Sequence, residues 1–140
     1  MTVGEYEEDI RAIDQTVNLI NMMSDARISK VVSVDYFDDD SKIGKYKVNL
    51  PIYELGLASI LVNRTTHEVI GLYGKLAEFE DNKDILVGAK LDIATECIII
   101  EVIRKDGTIL KSIPTGKNVN CYCAIYEGFV RIGNDKYELN

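Results

Sequence analysis

The sequence predicts an α+β fold, in which an N-terminal amphipathic helix precedes a mainly antiparallel β-sheet body. In the first 24 residues, apolar side chains recur at alternating spacings of three and four, the period of one face of an α-helix. These positions are Val3, Tyr6, Ile10, Ile13, Val17 and Ile20. From about residue 29 onward, β-branched and alternating segments are separated by turn residues, as in strands joined by hairpins. Short hairpin connections favour antiparallel pairing, and both a barrel and a sandwich are compatible with such a body.

The helix is expected to span residues 3–23. Thr2 and Glu5 have the spacing of a capping box, in which each side chain binds a free amide at the helix start. The apolar face must be buried either on the chain's own sheet or against the helix of a second copy. The sequence leaves both alternatives open, and we expect a homo-oligomer.

The β-rich body, residues 29–139, is expected to hold about seven or eight strands. Eight strand patterns occur at 29–37, 45–53, 57–62, 67–73, 98–105, 108–113, 119–126 and 128–139, and residues 85–91 are a possible further strand. Residues 76–84 are acidic and fit either a short helix or a connection.

Asp106 and Gly107 mark the clearest hairpin, because Asp-Gly supplies the positive φ angles that a type I′ turn requires. In that register Ile103 faces Leu110, and Ile100 faces Ile113. The three consecutive isoleucines at 98–100 place apolar side chains on both faces, which predicts a central strand.

Composition predicts one domain over residues 1–140, with 46% apolar and 28% charged residues and no linker-like segment. The net charge of −7 argues against direct binding to nucleic acid or to anionic membranes, whose phosphates attract Lys and Arg. The N-terminus lacks the basic and apolar regions of a secretory signal, and no apolar run is long enough to span a bilayer. With an odd number of cysteines, three, these features predict a cytoplasmic protein.

The sequence predicts no catalytic site, no metal site and no cofactor. His67 is the only histidine, and we expect it on the surface because it follows a predicted turn. An EF-hand pattern that starts at Asp38 fails at Lys42 and Ile43, so the acidic loop is expected to be solvated. Cys121 and Cys123 are too close for a common zinc knuckle, and they are expected to pack as small apolar residues.

Two sets of side chains are candidates for binding. Clustered carboxylates are expected to face a protein partner: Asp38, Asp39, Asp40, Glu78, Glu80 and Asp81. A second set is a candidate small-ligand site, because Arg grips phosphate and Tyr stacks on a base: Arg104, Tyr122, Tyr126 and Arg131.

We therefore expect a non-enzymatic, small acidic binding protein, an accessory or inhibitory factor that engages another protein. One form of this hypothesis is a phage or mobile-element protein whose acidic face blocks a basic site on a host protein. The alternative hypothesis is a small-molecule or nucleotide-binding and sequestering protein that uses the Arg and Tyr residues of the β-rich body.

Overall fold

The computed structural model describes residues 3–35, 42–51 and 56–140, with side chains from Tyr6 onward. In this part of the chain one helix precedes ten strands, which confirms the predicted α+β fold with a mainly antiparallel sheet body. The helix α1 is Val3–Met23, the span that the apolar period predicted. The strands are β1 (Ser33–Asp35), β2 (Ile43–Leu50), β3 (Gly56–Asn63), β4 (Val69–Phe79), β5 (Asn82–Asp92), β6 (Cys97–Arg104), β7 (Ile109–Asn118), β8 (Cys123–Tyr126), β9 (Phe129–Ile132) and β10 (Asp135–Glu138).

The strands form two antiparallel sheets. The larger has seven strands in chain order from β1 to β7, and the smaller has three in the order β10-β9-β8. Every neighbouring pair is therefore consecutive in the chain, as short hairpin connections require. Among the described residues β1 and β7 remain edge strands of the larger sheet, so the sheet is open and does not close into a barrel.

The apolar face of α1 packs on the chain's own sheet. Ile13 and Val17 are buried in the main core, and Tyr6, Ile10 and Ile20 pack against it. The same core receives buried side chains from β2 to β6 and from the smaller sheet. These five residues follow the first of the two predicted alternatives, in which the apolar face of the helix is buried on the sheet of its own chain. The side chain of Val3 lies outside the described residues.

The opposite face of the larger sheet has a second, smaller core. It consists of one fully buried residue from each of five consecutive strands: Ile43, Leu61, Tyr73, Leu86 and Ile103. The central strands are therefore buried on both faces. This confirms the central position that the isoleucines at 98–100 predicted for β6, which lies between β5 and β7.

Strand β4 divides its pairing between two neighbours. Its first half pairs with β3, from Val69 opposite Val62 to Tyr73 opposite Ser59. Its second half pairs with β5, beginning at Tyr73 opposite Lys90 and running to Phe79. Irregular register after Tyr73 marks a bulge, which bends a strand and increases its twist. The first half of β4 is therefore unpaired on the side of β5, and its second half is unpaired on the side of β3.

The acidic segment 76–84 is part of a hairpin, neither a helix nor a connection. Its residues end β4 and begin β5, with Glu78 opposite Leu86. Leu76 packs against the smaller core while Glu78 and Glu80 are exposed. The strand propensity of this segment is weak because four of its nine side chains are acidic, and pairing between β4 and β5 overrides it.

The β6–β7 hairpin turns through three residues instead of two. The Gly107 amide donates to the Arg104 carbonyl, and the Arg104 amide donates to the Thr108 carbonyl, with Gly107 at a φ of 99°. This is a type I turn with a glycine bulge, so Ile103 faces Ile109 and the predicted contact with Leu110 is wrong. A second irregularity after Val102 restores the register, and Ile100 faces Ile113 as predicted.

Candidate functional site

Two hairpin turns bring carboxylates together at one end of the β-sheet body. Asp81 lies in the turn between β4 and β5, and Glu127 lies in the turn between β8 and β9. The Asp81 carboxylate lies near enough to raise the pKa of Glu127, because it can accept a hydrogen bond from protonated Glu127 and its negative charge disfavours ionised Glu127. Both residues are exposed, as is Glu80 beside Asp81. We call Glu80, Asp81 and Glu127 the acidic edge.

An aromatic pair adjoins the acidic edge. Tyr126 and Phe129 flank the turn that carries Glu127, and their rings stack with centroids 4.8 Å apart. The Lys136 ammonium lies 4.5 Å from the Phe129 ring centroid, on the neighbouring strand. Tyr126 remains 43% exposed, so its ring is available for contact while its position is held by the stack.

Among the other predicted acidic residues, the structure describes only Glu78. The Glu78 carboxylate accepts a hydrogen bond from the Lys105 ammonium, so its charge is paired within the chain. Asp38, Asp39 and Asp40 lie outside the described residues.

The four predicted ligand residues are spread over separate elements. Arg104 ends β6, at the hairpin that precedes β7, whereas Tyr126 and Arg131 lie on the smaller sheet. Tyr122 precedes β8, is 67% exposed, and has the Lys75 ammonium 5.5 Å from its ring centroid. Tyr122 lines a cavity of about 180 Å³ beneath β8. Arg104, Tyr126 and Arg131 do not line that cavity or the two larger cavities beside β4. A shared site for the four residues therefore stays a prediction.

A buried network around Asp9 is the feature that sequence reasoning missed. Asp9 on α1 is 1% exposed, and its carboxylate accepts hydrogen bonds from the Tyr46 hydroxyl and from His67 Nδ1, the latter at 2.7 Å. His67 Nε2 lies 3.0 Å from the Glu8 carboxylate. His67 is half-buried, with a φ of 61° at the end of the β3–β4 turn. The network therefore joins the helix to β2 and to that turn.

The electrostatics of the network suit a structural clamp. The hydrogen bond to Asp9 and the charges of Asp9 and Glu8 raise the pKa of His67, which favours the imidazolium form. Burial and the bond to Asp9 raise the pKa of Tyr46, so its hydroxyl stays neutral and donates. Because carboxylates engage both nitrogens of the His67 ring, neither nitrogen is left to accept a proton from a substrate.

Cavities open on both sides of β4, at the places where it leaves a neighbouring strand. The first, about 870 Å³, lies between the end of α1 and the gap from β4 to β5. Its walls are mainly apolar and include Ile20, Ile60, Leu72, Leu91 and Ile99. The second, about 440 Å³, lies where β3 and β4 diverge and is lined by three lysines.

Cys97, Cys121 and Cys123 are free thiols, and burial raises the pKa of Cys123. Within residues 3–35, 42–51 and 56–140, no three His, Cys, Asp or Glu side chains are grouped to hold a metal ion. In the part of the chain that the structure describes, no helix is both long and apolar enough to cross a membrane.

Comparison of the chain with protein-family models, with curated proteins and with solved structures found no match.

Proposed function

We propose that this protein is a non-enzymatic binding protein, an accessory or inhibitory factor that engages a basic surface of another protein through its acidic edge. The observation that carries the proposal is that two separate hairpin turns place the exposed carboxyl groups of Asp81 and Glu127 near each other, so that Asp81 raises the pKa of Glu127. Like charges in contact oppose folding, and such placements are concentrated at functional sites.

A basic partner would relieve this repulsion. A Lys or Arg side chain placed between the Asp81 and Glu127 carboxylates would form charge-assisted hydrogen bonds with both. The net charge of −7 extends the attraction beyond the contact and would accelerate encounter with a cationic surface. Tyr126 adds an exposed aromatic ring beside these charges, and Tyr is enriched where binding energy is concentrated.

The His67 network supports a function other than catalysis. Its histidine is engaged at both ring nitrogens, and it lines neither of the cavities beside β4. A catalytic base requires a free nitrogen directed toward a site where substrate binds.

Affinity purification with matched charge variants tests the proposal. The bait is the full chain, compared with the double variant Asp81→Asn/Glu127→Gln and with the control Glu7→Gln/Glu68→Gln. The control removes the same amount of charge from exposed residues away from the acidic edge. Proteins retained from the native host would be quantified by mass spectrometry at low and high salt.

We expect at least one basic protein that the full chain and the control retain, that the acidic-edge variant loses, and that high salt releases. Retention of the same proteins by all three baits would refute the assignment of the acidic edge. A partner that resists high salt would refute the electrostatic mode of binding.

A further inference from the structure

The larger sheet has a gap between the start of β4 and the end of β5. Pairing between these strands ends at Tyr73 opposite Lys90, so the gap closes there and opens toward the turn between β5 and β6. Each strand stays paired on its far side, β4 with β3 and β5 with β6. The cavity of about 870 Å³ is lined by both strands and by the end of α1. We call it the gap cavity.

The interior of the gap cavity is apolar, with side chains from both faces of the sheet in its walls. Leu72 and Leu91 belong to the main core, whereas Ile70 packs against the smaller core, and all of them line the cavity. The cavity volume lies within the range of small-molecule sites, which are mostly apolar with a few polar groups. Such walls favour a ligand with an apolar body, because its surface leaves water when it binds.

The last turn of α1 continues this apolar surface at the mouth of the cavity. Met23 lines the cavity and is 81% exposed, and its neighbour Met22 is 82% exposed. These are the most exposed large apolar side chains among the described residues. Methionine is flexible and polarizable, which suits contact with apolar ligands of varied shape.

The open end of the gap cavity is negatively charged. The last turn of α1 contains no basic residue, so the partial negative charge of the helix C-terminus is not offset within that turn. Asp25 follows the helix, Asp92 ends β5, and Glu96 lies in the turn after β5, and all of them line the cavity. The ion pairs among the described residues include none of these carboxylates.

Lys90 does not reverse this charge, although it is the only basic side chain among the described residues that line the cavity. It lies at the closed end, opposite Tyr73, and its ammonium is 3.9 Å from the Glu101 carboxylate. Glu101 is 5% exposed and also accepts a hydrogen bond from the Tyr73 hydroxyl at 2.6 Å. The charge of Lys90 is therefore offset by a buried carboxylate within the chain.

We propose that the gap cavity binds a small apolar molecule that carries one positively charged amino group. The apolar body fills the interior, and the ammonium lies at the open end, near Asp25, Asp92 and Glu96. A cation at this end is attracted by the carboxylates and by the helix C-terminus, whereas an anion is repelled by both. The site is independent of the acidic edge, because the β4–β5 turn lies at the opposite end of these strands.

Titration of the full chain with ligands of equal chain length tests the proposal. The probes are decylammonium, decanol and decanoate below their micelle-forming concentrations, with calorimetry for affinity and NMR amide shifts for location. The variant Asp25→Asn/Glu96→Gln removes two exposed carboxylates of the mouth, and the control Glu7→Gln/Asp84→Asn removes the same charge from exposed residues outside the cavity. Val69→Phe enlarges a side chain that lines the cavity, and thermal unfolding shows whether each variant is folded.

We expect saturable binding that weakens in the order decylammonium, decanol, decanoate, with shift changes at Leu72 and Leu91. Removing the two mouth carboxylates should weaken decylammonium binding about fivefold, because each exposed ion pair contributes modestly, and should leave decanol binding unchanged. The control should leave both affinities unchanged. Val69→Phe should weaken the binding of decylammonium and decanol alike, because both need the space that the larger ring takes. If Val69→Phe does not fold, the shift changes and the charge variants decide.

The absence of saturable decylammonium binding would overturn the proposal, and so would decanoate binding that is at least as tight. Equal weakening by the two charge variants would also overturn it, because diffuse charge rather than the mouth of the cavity would then explain the preference. Sedimentation at the same concentrations tests whether a second copy of the chain covers the cavity. A dimer that Val69→Phe dissociates would overturn the assignment to a small molecule.

Discussion

Replacing Asp9 with alanine should destabilise the fold far more than replacing any exposed carboxylate of α1. Asp9 is 1% exposed and accepts the hydrogen bond of the Tyr46 hydroxyl, which is itself on a residue only 1% exposed. Without the carboxylate, that hydroxyl is buried and unpaired, which costs about 2 kcal/mol. For a chain of this length, each kcal/mol lowers the unfolding midpoint by about 3 °C, so a fall of about 6 °C is expected.

Urea and thermal unfolding followed by circular dichroism would measure this loss. Glu7→Ala is the matched control, because Glu7 is exposed on the same helix and such changes stay within about 0.5 kcal/mol. A second background, Tyr46→Phe, removes the hydroxyl that Asp9→Ala would strand. In that background no hydroxyl is left unpaired, so Asp9→Ala should cost about 2 kcal/mol less, which a double-mutant cycle reports as the coupling of the pair.

Either of two results would refute a stabilising role for the hydrogen bond between Tyr46 and Asp9. One is an Asp9→Ala protein as stable as Glu7→Ala. The other is an Asp9→Ala cost that is the same with tyrosine and with phenylalanine at position 46, since the stranded hydroxyl would then not be its cause.

Three further changes probe other parts of the molecule. The hydrogen bond to Asp9 raises the pKa of His67 above 6.5, so its stabilisation is complete below that pH and is lost as pH rises through the raised value. His67→Gln should remove this loss in unfolding measured against pH, and an unchanged profile would assign the loss to another group. The pKa of Glu127 is raised above 4.5 by Asp81, so ionised Glu127 opposes folding, and Glu127→Gln should raise the thermal midpoint at pH 7 but not below pH 4.5. A midpoint that is no higher at pH 7 would contradict the repulsion. A β-carbon on Gly88 would lie 2.7 Å from the Tyr73 ring, so Gly88→Ala should lower the free energy of unfolding in urea by about 1–3 kcal/mol. A variant as stable as the parent would contradict this, because the Tyr73 ring would then move aside without cost.

The helix and most hairpins could be predicted because their signals are local. The apolar residues of α1 recur at spacings of three and four, and burial of Ile13 and Val17 follows from that spacing. The turn at Gly107 was placed correctly, but its type was not, since Asp-Gly is compatible with both two-residue and three-residue hairpin loops. The hydrogen bonds between whole strands decide that difference, and they include a register irregularity after Val102.

The candidate sites depend on contacts that no local pattern reports. His67 and Asp9 are 58 residues apart, and the sequence around a histidine after a turn does not indicate that it binds a buried carboxylate on the helix. Asp81 and Glu127 meet only because the smaller sheet packs beside the β4–β5 hairpin.

The sequence by itself determined the helix span, the hairpins between consecutive strands and the net charge. Only the tertiary structure decided that the larger sheet stays open, and that β4 parts from both neighbours to form cavities. The physical reason is that periodicity fixes which face a side chain takes, whereas bulges and strand divergence, set by packing across the whole sheet, decide which faces meet.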